Sequence, residues 1–297
     1  MVFWSDFIRL NQNTYQFIND ESWVILSVIE QSIKTKIEAI GTPLKEWNIN
    51  IYRGVLTGYN GAFIIDRVKK DQLIKEDPKS AEIIRPILRG RDIKRYSCDF
   101  CDLWLLNVHN GVKEKNIKPI NIDDYLAIKK HLDNFYPALE KRLDKGVTPY
   151  HLRNCAYMDD FFKQKIIYPN MTKFVPFFLD NSGFMQNDKS FMIVGNHLEF
   201  LVAFLNSSLF KYCFLNDFPE LQGGTRELRK IFFDKIPVIR IDDKINDKFK
   251  KILDNMSDFR IKNLPTKQIE KEIDNMIFDL YNLTDLECEE IGFIEIN

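Results

Sequence analysis

Apolar residues recur every three or four positions from Val24 through Val28, Ile29, Ile33 and Ile37 to Ile40, and Gly41-Thr42-Pro43 closes the run. That period belongs to one buried face of a helix, so a helix is predicted over residues 22–40. Residues 1–21 are polar and aromatic without clear period and read as a leader or linker. A strand is predicted over 48–52. Short runs rich in Phe, Ile and Tyr, bounded by polar or turn residues, then predict strands at 62–65, 103–108, 165–168, 176–179 and 191–194. Two helical patterns interrupt them. Residues 123–143 carry Leu126, Leu132, Phe135, Tyr136, Leu139 and Leu143 on roughly one face, with Pro137 as a kink or break. Residues 198–215 repeat the pattern with Leu198, Leu201, Leu205, Leu209 and Tyr212.

Past Ile236-Pro237-Val238 the composition shifts. Residues 241–263 are rich in Lys and Asp and predict an exposed helix and linker, whereas 267–281 align Ile269, Ile273, Met276, Ile277, Leu280 and Tyr281 on one amphipathic stripe. Thr284-Asp285-Leu286-Glu287 has the form of a capping box that starts a last short helix. Strands and helices mix without strict alternation and without a solenoid period. The prediction is an α+β fold, a mixed β-sheet core with several helices, divided as a leader at 1–21, a main domain at 22–240 and a helical C-terminal segment at 241–297.

Composition narrows the functions. The chain has 297 residues, 45% hydrophobic and 29% charged, with a net charge of -1. This is an ordinary globular balance and excludes a uniformly basic protein, so any contact with nucleic acid must come from a patch. One patch stands out. Between residues 85 and 95, Arg85, Arg89, Arg91, Lys94 and Arg95 face the single acid Asp92, a net +4 in eleven residues. A phosphate backbone is one reason for such a concentration. A solvated face paired with Glu76, Asp77 and Glu82 is the other, and composition leaves both open. The N-terminus has neither a basic stretch nor an apolar core of the signal-peptide kind. The most apolar run, 200–205, is too short to span a bilayer, and the five cysteines lack framework spacing, so reduced thiols in a cytoplasm are expected.

Gly54, Gly58 and Gly61 flank Tyr59 and Asn60. Their spacing is not that of a nucleotide-binding loop. They suit either a turn that needs positive φ or a backbone that approaches phosphate. Cys98 and Cys101 have metal-ligand spacing, but no second pair follows, and His109 is a third ligand by distance only, so no metal is expected. Asp66 with Asp77-Pro78-Lys79 has the letters of a nuclease site, but Pro78 disfavours the required strand, and Asp242-Asp243-Lys244 is a charged linker.

Thr57-Gly58-Tyr59-Asn60, with Ala62-Phe63 after it, and then Ile83-Ile84-Arg85-Pro86-Ile87-Leu88-Arg89-Gly90-Arg91-Asp92-Ile93 resemble the target recognition domain of adenine-specific DNA methyltransferases. More narrowly, they resemble the TaqI-like C-terminal specificity domain of Eco57I-like type IIG restriction-modification proteins. The resemblance covers roughly residues 22–240 and implies a module that binds double-stranded DNA. It places Thr57, Gly58, Tyr59 and Asn60, the patch from Arg85 to Arg95, and a loop with Gln222, Thr225 and Arg226 at the DNA surface. Gln222 and Arg226 suit adenine and guanine edges respectively. Arg153 and Lys165 lie in another family-like segment and are further contact candidates.

An adenine N6-methyltransferase also needs a cofactor-binding Phe-x-Gly-x-Gly turn and an Asn-Pro-Pro-Tyr loop. Neither is in this sequence, and Tyr168-Pro169-Asn170-Met171 lacks the order and the terminal aromatic. No catalytic residue is therefore expected, and the resemblance implies a catalytic domain upstream or on a partner chain that binds S-adenosylmethionine. The alternatives are a protein-interaction scaffold using the 267–281 helix, or a module like a type I specificity subunit.

Overall fold

The computed structural model describes residues 26–173 and 176–294, so the leader at 1–21 lies outside the described residues. The fold is α+β, with two four-stranded sheets that each cover a separate hydrophobic core.

The first sheet is antiparallel throughout, in the order Phe178–Asp180, Lys165–Pro169, Ser190–Gly195, Ile49–Arg53. The Lys165–Pro169 strand is buried at every position. Helices Val28–Ile40, Leu198–Leu205, Ser208–Phe214, Asp243–Ile261 and Lys267–Leu280 contribute to the same core. The apolar stripe at 267–281 is satisfied here: Ile269, Ile273, Ile277 and Phe278 are buried. So is one face of Asp243–Ile261, where Phe249, Ile252 and Met256 recur at helical spacing. The Lys/Asp-rich stretch is therefore a docked amphipathic helix, where an exposed helix and linker were expected. Its many charges mask the three apolar anchors.

The second sheet runs Met185–Gln186, Ile84–Leu88, Leu103–Leu106, Ile64–Asp66, with the first pair parallel. Helices Arg67–Glu76 and Leu126–Asp133 cover it. The two sheets meet where Gly54 donates to Ser190 O (2.9 Å) and Val55 to Gln186 O (2.8 Å). A Cβ on Gly54 would lie 2.0 Å from Asn187 O, so only glycine permits this approach.

Two predicted long helices are broken. Pro137 enters at the start of a second helix, Tyr136–Lys141, after Leu126–Asp133 ends. Ser207 caps a second helix by accepting from Phe210 N (3.1 Å), which separates Leu198–Leu205 from Ser208–Phe214. This bent pair is core: every residue of Leu198–Leu205 is buried. Among the described residues no single helix is long and apolar enough to cross a membrane. The predicted strand at 62–65 begins instead as a short helix, Asn60–Phe63, and becomes a strand only at Ile64–Asp66. Thr57 Oγ1 bonded to Asn60 Oδ1 (2.5 Å) and Ala62 N donating to Tyr59 O (3.2 Å) wind the chain locally before the sheet takes over.

Candidate nucleic-acid interface

The basic patch begins where the Ile84–Leu88 strand ends. Arg89 donates through Nε and Nη2 to both oxygens of buried Asp92, and its own backbone N–H reaches Asp92 Oδ2 (2.8 Å). The hydrogen bonds it donates to Asp92 raise the Arg89 pKa. Burial acts to raise the Asp92 pKa, but the Arg89 bonds outweigh it and the net shift is downward. This pairing ties the turn Gly90–Asp92 to the following hairpin, Ile93–Lys94 with Ser97–Cys98. Tyr96, at a positive φ of 59°, turns the hairpin and fixes it to the first core by donating its N–H to Phe177 O (2.9 Å).

The outer side of this turn and hairpin forms one wall of an open groove of about 1140 Å³. Arg89, Arg91, Lys94 and Arg95 line that wall. The other side is built from segments far away in sequence. Lys173 follows the Met171–Thr172 strand, Lys189 lies in the turn before the Ser190–Gly195 strand, Lys211 sits on the Ser208–Phe214 helix, and Arg260 lies in the last turn of the Asp243–Ile261 helix. Eight cationic side chains thus line the groove, and among the described residues no Asp or Glu does. Their availability differs. Arg91, Lys173 and Lys211 make no ion pair among the described residues, and Arg91 is exposed. Lys94 and Lys189 have carboxylates only at 3.6 Å, from Asp99 and Asp188. Arg95 is committed: it donates to Glu270 and to Asn206 O, which pins the patch to the Lys267–Leu280 helix.

The loop with Gln222, Thr225 and Arg226 borders this groove, because Arg226–Glu227 pairs antiparallel with Met171–Thr172. A Cβ on Gly223 would come within 3.9 Å of Lys173 Nζ. Gln222 is exposed, and Thr225 closes the loop by accepting at its carbonyl from Leu221 N (2.6 Å). Arg226 donates to Phe218 O (3.0 Å) and Asn216 Oδ1 (3.1 Å) and pairs with Glu220 (2.8 Å). Its donors hold the loop together.

Other sequence-selected residues lie elsewhere. Arg85 folds back onto the carbonyls of Glu82 (2.6 Å) and Ile84 (3.0 Å) and does not line the groove. Lys165 is wholly buried, with Nζ 2.5 Å from Asp180 Oδ2 and 2.6 Å from Phe161 O. It reaches no surface, so as a contact candidate it is corrected to a structural ion pair. Arg153 is exposed and paired with Asp144 (2.8 Å).

The glycine-spaced motif forms a second loop cluster, away from the groove, whose hub is Arg142. Buried Arg142 donates Nη1 to Thr57 O and Asp144 O, and Nη2 to Pro149 O and His151 O, while its guanidinium lies 4.5 Å from the Phe63 ring centroid. Burial without a hydrogen-bonded carboxylate lowers its pKa to about 10. Gly58 sits at φ +65°, and a Cβ there would lie 2.8 Å from Asp144 O. Gly54 and Gly58 thus serve close approach to protein backbone. Tyr59 and Asn60 remain exposed at the tip.

The second wall escaped sequence reasoning because Lys173, Lys189, Lys211 and Arg260 are isolated basic residues in four separate segments. No local signal marks them.

With this geometry the chain can be placed. Its fold is that of a specificity domain from restriction-modification enzymes. Residues 85–238, just over half of the chain, match the family model of the TaqI-like C-terminal specificity domain, and the chain belongs to that family. In structure it is similar to the type IIL restriction-modification enzyme MmeI, solved in complex with DNA, with a TM-score of 0.56 and 13% identity over 85% of this chain and 36% of that one. It is also similar to the type IIG restriction endonuclease BpuSI, with a TM-score of 0.51 and 14% identity over 86% of this chain and 34% of that one. The chain therefore spans about a third of each enzyme's length. No curated protein matches it.

Proposed function

We propose that the chain is the double-stranded DNA recognition module of an adenine-specific (N6) DNA methyltransferase in a restriction-modification system. The observation that carries this reading is the groove: among the described residues eight cations and no carboxylate line one surface of a chain whose net charge is -1. Such a surface suits phosphates, whose neutralisation releases counterions and drives binding. Arg91, Lys94, Lys173, Lys189 and Lys211 are the phosphate contacts in this reading, and Arg89 and Arg95 shape the wall that presents them. Gln222 and Thr225 border the groove as the base-reading loop, with Tyr59 and Asn60 at a second, outlying tip. Phosphate contacts would fix the register, and the loop would supply sequence discrimination.

Methyl transfer belongs, in this reading, to a separate catalytic domain that takes the target adenine out of the stack. S-adenosylmethionine carries a sulfonium and an ammonium, and a groove lined, among the described residues, by cations without a carboxylate does not fit it. The cofactor is assigned to that other domain.

Selection of bound duplexes from a random library at moderate salt tests the proposal. The expected result is one enriched motif for the wild-type chain and much weaker binding by an Arg91→Ala/Lys173→Ala variant. Binding without enrichment that is indifferent to the groove residues would refute it and favour a protein-interaction scaffold.

A further inference from the structure

The C-terminal helices lie outside the residues that match the family, yet one of them reaches the groove. Asp243–Ile261 docks through Phe249, Ile252 and Met256, and Arg260 follows Met256 by four residues, on the same side of the helix. Its guanidinium lies 3.6 Å from Glu270, beyond hydrogen-bond distance, and its buried Nε has no hydrogen-bond partner. Glu270 is itself almost fully occupied. It takes the ion pair from Arg95, and its Oε1 accepts from Thr266 Oγ1 (2.7 Å). One turn further along that helix, Asp274 spends both oxygens on Ser208, accepting from N (2.8 Å) and Oγ (2.6 Å). Two guanidiniums therefore share one carboxylate, and Lys211 adds a third cation to the same groove. Burial, and then repulsion from Arg95, lower the Arg260 pKa, so its charge is held at a cost that a bound anion would relieve.

We propose that Arg260 is a phosphate-binding residue of the groove, supplied by the C-terminal helix and presented beside Arg95 by the carboxylate they share. A guanidinium offers a planar fork that matches two phosphate oxygens, and this one has donors to spare. The ligand is a phosphate group. That it belongs to a nucleic-acid backbone rests on the DNA reading of the groove. The existence of the anion site does not.

The test uses the full chain as wild type, Arg260→Met, Arg260→Lys and, as a groove control, Arg91→Ala. Duplex affinity is measured across salt concentrations, and melting temperature with and without inorganic phosphate. Arg260→Met keeps the apolar stem and leaves Glu270 bonded to Arg95 and Thr266, so it is expected to fold. It should bind duplex about ten-fold more weakly, the loss of one charge-assisted contact. Its salt slope should be lower by about one. Arg260→Lys should recover the slope and only part of the affinity.

Wild-type binding by Arg260→Met, with Arg91→Ala weakened, would overturn the assignment and leave the DNA reading intact. If no form binds duplex, the DNA reading fails. Inorganic phosphate that then stabilises the wild type and not Arg260→Met would still support the anion site, and phosphate without effect on either would overturn it. Should Arg260→Met not fold, wild-type duplex affinity in Arg260→Lys would overturn the forked contact.

Discussion

The Lys165–Asp180 pair permits a sharp test of which basic residues serve the fold. The two residues face each other across antiparallel strands and are both fully buried. Lys165 Nζ donates to Asp180 and to Phe161 O, and Asp180 also accepts from Ser182 N and Phe184 N, both at 2.8 Å. Lys165→Met keeps the stem's volume but strands a carboxylate in the core. Breaking a buried pair from one side costs about 3–5 kcal/mol. For a chain of this size that lowers the melting temperature by roughly 5–8 °C. Lys165→Met/Asp180→Asn removes both charges and keeps an acceptor for one of the two backbone N–H groups, which bond different oxygens of Asp180, so part of the loss should return. Calorimetry on the wild type, both single variants and the double variant closes the cycle. Duplex affinity per folded molecule should be unchanged throughout. A melting temperature within about 2 °C of wild type for Lys165→Met, equivalent to about 1 kcal/mol, would refute the reasoning. A double variant no better than the single one would do the same.

Four further outcomes follow from other sites. Gly58→Ala should cost about 1–3 kcal/mol, since it puts a side chain at φ +65° against Asp144 O, and proteolysis at the 142–151 loop should quicken. Burial acts to raise the Glu287 pKa, but hydrogen bonds from Lys36, Ser32 and Thr284 outweigh it and lower it from 4.5 to about 2. The stability this contributes is present above pH 4.5 and is lost as pH falls towards 2, so a pH series of melting temperatures should show a smaller acid loss in Glu287→Gln. Arg91→Ala should weaken duplex binding and leave the melting temperature within about 2 °C, a surface change. Arg89→Ala should lower it clearly, because Asp92 is then buried without its partner.

Much of the fold was legible because its elements are ordinary amphipathic ones. The Lys267–Leu280 helix declares its buried face by spacing alone, whereas on Val28–Ile40 only Ile33 and Ile37 of the predicted face are buried and Val28 and Ile40 are exposed. The capping box at Thr284 forms as its letters suggest. Local pattern failed where a few side-chain bonds redirect the backbone, as Thr57 and Asn60 do before the Ile64–Asp66 strand and Ser207 does between two helices. The site was half legible. Four groove cations are close in sequence and show as a charge excess, but the other four converge only through sheet pairing and helix docking. Composition also cannot say which arginine is spent. Arg89, Arg95 and Arg226 look as available as Arg91, and only their contacts with Asp92, Glu270 and Glu220 separate them.

The central claim is that the groove binds a phosphate backbone, and the salt dependence of duplex affinity tests it most directly. Each phosphate neutralised contributes about -0.9 to the slope of log K against log salt. The five groove cations not held within hydrogen-bond distance of a carboxylate outside the Arg260 site, Arg91, Lys94, Lys173, Lys189 and Lys211, set the expected slope at about -3 to -5, shallower by about one in Arg91→Ala. A slope near zero, or one unchanged when groove cations are removed, would contradict the account.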